Sequence, residues 1–191
     1  MEVNGEVSGA ARGSLDDVPP LVLDPQPAEF EALLERRRRL GQDLLDEVWE
    51  GVYHVNPVPH ARHAYIAQQL AELLGPPARG AGLLPMMGIF NLGEPDDYRV
   101  PDGGLLHPGP GEVYVPTAAL VVEIVSPDDT TWEKLGFYAA HGVGELLIVD
   151  PQERRVHWLE LQPEGEYRPV ERSGLIALGP AELAARIDWP E

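Results

Sequence analysis

One segment of the chain, residues 118–125, reads AALVVEIV and is apolar at every position except Glu123. A short apolar run rich in β-branched residues predicts a strand that is buried on both faces of a sheet. Because side chains alternate along a strand, Glu123 is expected to share a face with Val121 and Val125. A carboxylate buried on such a face costs free energy unless a partner compensates it. The segment therefore predicts a sheet with a charged group at its centre.

A second acid, Asp102, follows Pro101 in the extended segment 98–107, YRVPDGGLLH. Proline restricts the preceding residue to extended conformations, so Asp102 is expected at a kink in a strand. An ion pair or backbone hydrogen bonds in the core could satisfy each acid separately. Two acids on neighbouring strands, within an acid-rich stretch of sequence, point instead to a divalent cation held by carboxylate oxygens.

A predicted helix over residues 131–141 follows this stretch. Its spacing places Lys134, Tyr138 and His141 on one face. From that face the lysine could reach across to the sheet, although an ordinary surface lysine would have the same spacing. Tyr138 could position the lysine, or it could pack the helix against the core.

The remaining periodicity predicts an α/β domain with a mixed sheet flanked by helices. Further helices are expected at residues 28–40, 60–74 and 181–186, and the Gly75-Pro76-Pro77 sequence is expected to end the second of these. Further strands are expected within residues 47–55, 83–92, 99–106 and 145–149, with an extra β-hairpin over 155–161 and 167–172. Residues 1–25 are interpreted as a flexible leader, and residues 26–191 as a single domain.

The composition restricts the function more than the fold. A hydrophobic content of 43% is enough for a core, and the net charge of −18 disfavours a dedicated nucleic-acid binder, which normally has a basic face. It does not exclude a nuclease, because a bound cation changes the local field. An acidic scaffold for a basic partner is the alternative that the charge alone suggests. The chain has no cysteine, no signal peptide and no segment long enough to span a membrane, which fits a cytoplasmic protein.

The histidines and arginines leave two further possibilities open. His60 and His63 are three residues apart, with His54 nearby, and such a pair can bind zinc. No cysteine or other ligand stands at the spacing of a zinc motif, so these histidines are expected at a helix start. The run RRRR at residues 36–39 is expected to form a solvated last helical turn that complements the helix dipole, with a phosphate contact as the alternative.

Six short segments, taken in order, resemble the Uma2 family, also named DUF820, of the PD-(D/E)XK nuclease superfamily. The match extends over roughly residues 40–162, and His63, at the start of the long helix, belongs to it. With His63 as the second of the six, the others are EVWEG at 47–51, RVPD at 99–102, VEIVSP at 122–127, KLGFY at 134–138 and GVGELLIVDP at 142–151.

The resemblance implies a restriction-endonuclease-like core, often in a homodimer, and the expected reaction is hydrolysis of DNA phosphodiester bonds. Recognition is expected to have low sequence specificity, because the sequence shows no helix-turn-helix, zinc finger or basic arm. By position, Asp102 and Glu123 would be ligands of Mg²⁺ or Mn²⁺, and Lys134 would be the catalytic lysine. Glu47 would be an additional acid, and His63 and Tyr138 would line the site.

The chain also departs from the pattern of the family and its superfamily. The lysine that the superfamily usually carries two residues after the acid is Val125 here, and the segment 126–134 is shorter than usual. Thr130 stands where an acid is often found before the lysine. A catalytically degenerate nuclease fold that serves as a binding or interaction module is therefore the alternative function.

Overall fold

The computed structural model describes residues 21–23, 28–109, 111–127 and 130–190, which form two six-stranded mixed sheets flanked by helices. The first sheet has the strand order β1 (Leu21–Leu23), β3 (Val52–Val55), β2 (Glu47–Trp49), β6 (Asp97–Arg99), β5 (Asn91–Glu94), β8 (Tyr114–Val115). The second has the order β12 (Tyr167–Pro169), β11 (Arg155–Leu161), β10 (Glu145–Asp150), β9 (Leu120–Ile124), β7 (Gly103–Leu106), β4 (Leu84–Met86). The helices are α1 (Ala28–Leu40), α2 (Ala61–Gly80), α3 (Leu135–Ala140), which a 3₁₀ turn (Thr131–Lys134) precedes, and α4 (Pro180–Arg186).

Strand β9 lies at the centre of the second sheet and is buried along its whole length. It pairs with β10 in parallel and with β7 in antiparallel orientation. The alternate residues Leu120, Val122 and Ile124 pack in the core cluster that also holds the apolar face of α2. Val121 packs with Tyr138 of α3 in a second cluster. The alternation expected from the sequence therefore holds, and Glu123 follows Val121 on the face toward α3.

The segment expected as one strand over residues 99–106 is in fact two strands of different sheets. β6 ends at Arg99 and β7 begins at Gly103, so the chain crosses between the sheets through Val100, Pro101 and Asp102. Pro101 has no N–H for a ladder, and the Val100 N–H donates to the Glu47 carboxylate instead of to a neighbouring strand. The segment 83–92 is divided in the same way between β4 and β5. As a result, Asp102 lies where the two sheets meet.

Helix α2 continues through Pro76 and Pro77, so the prediction that it stops at Gly75 was wrong. The two prolines cannot donate helical hydrogen bonds, which normally breaks a helix. Here Gly75 and Ala78 are buried, and Ala78 packs in the same core cluster as the preceding turns of the helix. Packing of this last turn offsets the missing hydrogen bonds, and periodicity along the sequence does not report such packing.

The arginine run at the end of α1 has a structural role at one of its four positions. Arg37 donates to the Asp46 carboxylate from Nε at 3.0 Å and from Nη2 to both oxygens, at 2.8 and 2.9 Å. Tyr53 of β3 donates to the same carboxylate at 2.9 Å. Asp46 is 1% exposed, so this buried network ties α1 to the first sheet.

The predicted leader lies largely outside the described residues. At its end, Leu21–Leu23 form β1, which pairs antiparallel with β3. Among the described residues, no helix is long and apolar enough to cross a membrane.

Glu145, at the start of β10, is a buried acid that the sequence analysis treated only as part of an apolar strand. It is 3% exposed. Its carboxylate accepts hydrogen bonds from Trp158 Nε1 and Ser173 Oγ, both at 2.7 Å, and from the Gly174 N–H at 2.8 Å. This acid therefore fastens the segment before α4 to the second sheet, and its role is structural.

We expect Glu145→Ala to lower the free energy of unfolding by about 2–4 kcal/mol, because two buried donors and the Gly174 N–H lose their acceptor. Urea unfolding followed by circular dichroism measures this change. Glu153→Ala, at an exposed glutamate in the turn after β10, is the matched control and should change stability little. Equal stability of the two variants would show that the Glu145 network contributes nothing.

Candidate active site

A cleft of about 150 Å³ opens where the two sheets and the start of α2 meet. The structure brings five of the six candidate residues to its walls: Glu47, His63, Asp102, Glu123 and Lys134. The sixth, Tyr138, is buried and contacts Glu123. The residues come from both sheets, from α2 and from the 3₁₀ turn before α3, so only the folded chain assembles them.

Asp102 and Glu123 face each other across neighbouring strands. Gly103 of β7 pairs with Val122 of β9, so one step further in the same antiparallel register Asp102 falls opposite Glu123. Asp102 Oδ2 accepts the Ile124 N–H at 2.7 Å, which fixes the carboxylate at the end of the ladder. The two acids are therefore placed together by backbone pairing.

Lys134 is the only lysine in the chain. Its Nζ donates to Glu47 Oε1 at 3.0 Å and to Glu123 Oε1 at 3.2 Å, and the residue is only 8% exposed. The shorter segment 126–134 has thus not moved the lysine away from the acids, although residues 128 and 129 lie outside the described part of the chain. One lysine beside thirteen arginines was a composition signal that could have singled out Lys134 without a motif.

Glu47, on β2, is held by backbone and side-chain donors of the first sheet. Its Oε1 accepts the Val100 N–H and its Oε2 accepts Trp49 Nε1, both at 2.8 Å. Together with the bond from Lys134, these contacts employ both oxygens of an acid that is 2% exposed. Trp49 was predicted only as part of the EVWEG segment, and the hydrogen bond by which its indole N–H orients a site acid was missed.

Tyr138 and His63 each hold one of the facing acids. The Tyr138 hydroxyl donates to Glu123 Oε1 in a short hydrogen bond, and His63 Nε2 lies 3.0 Å from Asp102 Oδ1. Because Tyr138 is one turn after Lys134, both groups reach the same carboxylate oxygen from one side. Each facing acid thus has a partner that fixes its orientation.

Burial and like charge shift the pKa values in this cluster. Burial raises the pKa of Glu123 to about 8, with Asp102 and Glu47 adding to the rise and Lys134 opposing it. Burial acts to lower the pKa of Lys134, but the charges of Glu123, Glu47 and Asp102 outweigh it and raise that pKa overall. Burial, followed by the Glu123 charge, also raises the pKa of Tyr138, which therefore remains a hydrogen-bond donor.

The donor set of the cleft suits a hard divalent cation. Among the described residues, no three histidine, aspartate or glutamate side chains are grouped so as to hold a metal ion by themselves. Mg²⁺, however, is commonly bound through one or two carboxylates, with water and substrate phosphate completing its shell. Asp102 and Glu123 supply oxygens of this kind. The cleft also contains three carboxylates against one ammonium group, an imbalance that a cation would reduce.

The three histidines of the possible zinc site make separate contacts. His60 accepts the Arg62 N–H at the start of α2, and His63 pairs with Asp102. His54 stacks on Trp49 with ring centroids 4.5 Å apart, and burial lowers its pKa. In the described part of the chain these side chains do not combine into a group that could hold a metal ion.

We expect Glu123→Gln to flatten the pH dependence of stability in protein kept metal-free with EDTA. A carboxyl group whose pKa is raised by folding is more protonated in the native than in the unfolded state. Its contribution to stability is full below its ordinary pKa and is lost as pH rises toward about 8. Relative to wild type, the variant should gain about 1–3 kcal/mol between pH 5 and pH 8.5.

Urea unfolding at several pH values measures this difference. Glu153→Gln at an exposed position is the matched control and should follow the wild-type curve. Parallel pH curves for wild type and Glu123→Gln would show that Glu123 keeps an ordinary pKa.

Comparison with known proteins agrees with this architecture. The Uma2 family, described as "Putative restriction endonuclease", matches residues 27–185. A crystal structure described as a putative nuclease belonging to DUF820, from Anabaena variabilis, superposes with a TM-score of 0.56. It is 18% identical, and the match covers 74% of this chain and 90% of the other. No curated protein matches the chain. A family match over most of the sequence, together with a shared fold, shows that the chain belongs to the Uma2 family.

Proposed function

We propose that the protein is a metal-dependent endonuclease that hydrolyses DNA phosphodiester bonds. The observation that carries this proposal is the convergence of Glu47, Asp102 and Glu123 around the only lysine of the chain, in an open cleft. Membership of a family described as "Putative restriction endonuclease" supports a nuclease-type hydrolase. Carboxylates with an adjacent ammonium group are suited to a reaction in which negative charge develops on a phosphate.

Asp102 and Glu123 are the residues that would hold Mg²⁺ or Mn²⁺. When bound, such an ion supplies Lewis-acid polarisation of the phosphate and a water of lowered pKa. Tyr138, on α3, donates a hydrogen bond to Glu123, and His63, on α2, pairs with Asp102. Both acids are then fixed before substrate arrives, so little reorganisation is needed in the reaction.

Lys134 acts as a cation and not as a base. The surrounding acids raise its pKa, so the group keeps its proton at every pH at which the protein is used. A fixed ammonium can orient the attacking water or stabilise the negative charge that develops on the phosphate oxygens. Glu47 keeps it in place through the 3.0 Å contact to Nζ.

The net charge and the motifs of the sequence bear on how the protein would bind DNA. With a net charge of −18, the protein should meet DNA slowly unless divalent ions are present, and salt should weaken binding further. The sequence contains no helix-turn-helix, zinc finger or basic arm, so the proposal includes low sequence specificity. A cytoplasmic location and a homodimeric state are further parts of the proposal.

A catalytically degenerate binding module is the competing function. The observation in its favour is that Lys134 donates to both Glu47 and Glu123, while the described residues contain no group of three side chains placed to hold a metal ion. Such a module would need neither metal at Asp102 and Glu123 nor a free ammonium.

The first experiment is a Mn²⁺ titration by calorimetry, followed by plasmid nicking in the same buffer. We expect wild type to bind Mn²⁺ and nick the plasmid, and Asp102→Ala/Glu123→Ala to do neither, because both oxygen donors are gone. Glu153→Ala should behave as wild type. Wild type that binds no Mn²⁺ and leaves the plasmid intact would contradict the endonuclease proposal and favour the binding module.

The second experiment separates the lysine from the metal ligands. We expect Lys134→Met to reduce the rate of nicking by about 10²–10³-fold, the usual cost of removing a group that stabilises developing charge. Its Mn²⁺ affinity should be retained or increased, since a cation beside Glu123 has been removed.

Arg168→Met, at an exposed position on β12, is the control for loss of one positive charge. Nicking by Lys134→Met at the wild-type rate would remove the lysine from the mechanism. Loss of Mn²⁺ binding in this variant would indicate that Lys134 instead maintains the shape of the cleft.

A further inference from the structure

Arg99, the last residue of β6, is a buried cation held between two aromatic rings. Its guanidinium lies 4.4 Å from the centroid of Trp49 and 4.0 Å from that of Phe137, and the residue is 5% exposed. The stack continues on both sides, because His54 lies on Trp49 and His141 lies against Phe137. It therefore joins the first sheet to helix α3.

The hydrogen bonds of Arg99 fix it to the first sheet. Nη1 donates to the backbone carbonyls of Val48 and Tyr98, at 2.7 and 3.2 Å, and to Asp97 Oδ1 at 2.9 Å. Among the described residues, its Nε is the only buried side-chain nitrogen or oxygen without a hydrogen-bond partner. A buried donor left unpaired is costly, and stacking of the planar guanidinium on two rings offsets part of that cost.

Each ring of the stack belongs to an element that carries a residue of the candidate site. Trp49 donates from Nε1 to Glu47 at 2.8 Å. Phe137 is one helical turn after Lys134 and directly precedes Tyr138. Arg99 thus lies between Trp49, which orients Glu47, and Phe137, which belongs to the helix that follows Lys134. On the cleft side, Glu47 Oε1 and Lys134 Nζ lie 3.0 Å apart.

The packing at the edge of the Phe137 ring requires glycine. Gly93 has φ +120°, and a Cβ atom there would lie 2.8 Å from Phe137 Cζ and 2.4 Å from the Asp97 carbonyl oxygen. No other residue type could occupy this position without displacing the ring or the strand. Phe137 is thereby confined between Gly93 and the guanidinium.

We propose that Arg99 is a positioning residue that holds Glu47 and Lys134 in register across the gap between the first sheet and α3. Through this contact it fixes the Lys134 ammonium against Glu123. Its consequence for catalysis rests on the proposed function, whereas its effect on Lys134 does not. Lysine cannot replace it, because an ammonium on a flexible stem has no plane to stack between two rings.

The metal ligands do not depend on this stack. Asp102 is fixed by the Ile124 N–H, and Glu123 lies on the central strand of the second sheet. Loss of Arg99 should therefore loosen the lysine while leaving the two facing acids in place. A general loss of structure would affect both.

The test uses the chemistry of the only lysine. Acetylation by acetic anhydride, with peptide mapping to separate Lys134 from the N-terminal amine, reports how well the ammonium is enclosed. We expect Arg99→Met to raise the acetylation rate of Lys134 by about fivefold or more, and Arg99→Lys to restore little of the protection. Phe137→Leu, which removes the other face of the stack, should act in the same direction if Arg99→Met fails to fold.

Two controls separate positioning from global opening. Glu145→Gln perturbs a buried network with Trp158, Ser173 and Gly174, none of which belongs to the stack, and should leave Lys134 protected. Arg168→Met should behave as wild type. In nicking assays, Arg99→Met should lower kcat by about tenfold or more, with KM for DNA and Mn²⁺ affinity within about threefold of wild type.

Unchanged Lys134 reactivity in folded Arg99→Met would overturn the proposal, as would an equal rise in Glu145→Gln. If wild type neither binds Mn²⁺ nor nicks DNA, the endonuclease function fails, and the acetylation rates alone decide whether Arg99 positions Lys134.

Discussion

The buried contact between Lys134 and the carboxylates of Glu47 and Glu123 is the interaction on which the site depends. Each acid belongs to a different sheet, so one ammonium group joins the two layers of the molecule. Ions this far from solvent are tolerated only when their charges are balanced and their hydrogen bonds are satisfied. Trp49 and Val100 donate hydrogen bonds to Glu47, and Tyr138 donates one to Glu123, so the acceptors of both acids are satisfied.

Much of the fold could be predicted from sequence because its signals are local. The bounds of α1 agree with the predicted range, and the apolar run around Glu123 is the central strand. What failed depended on tertiary contacts. α2 passes through Pro76 and Pro77 because its last turn is packed, and the segments expected as single strands are divided between two sheets. Neither effect has a signature in the periodicity of the chain.

The candidate site shows the same division. The costly burial of Glu123 and the position of Asp102 after Pro101 indicated two facing acids, and strand register brings them together. Trp49 and Arg99 could not be assigned from sequence, since their contribution is to hold Glu47 and α3 through contacts between residues distant in the chain. Glu145 was equally hidden, as an acid at the start of an apolar strand that accepts hydrogen bonds from two later segments.

The link between β6 and β7 has a mechanical consequence. Only Val100, Pro101 and Asp102 connect the two sheets there, and the four residue steps from Arg99 to Gly103 can span about 14 Å at most. This short link limits how far the sheets can separate at this edge. Because the Asp102 carboxylate is bonded to Ile124 of the second sheet, any rotation between the sheets would change its position relative to Glu47 of the first. The relative placement of these two acids is thus coupled to the angle between the sheets.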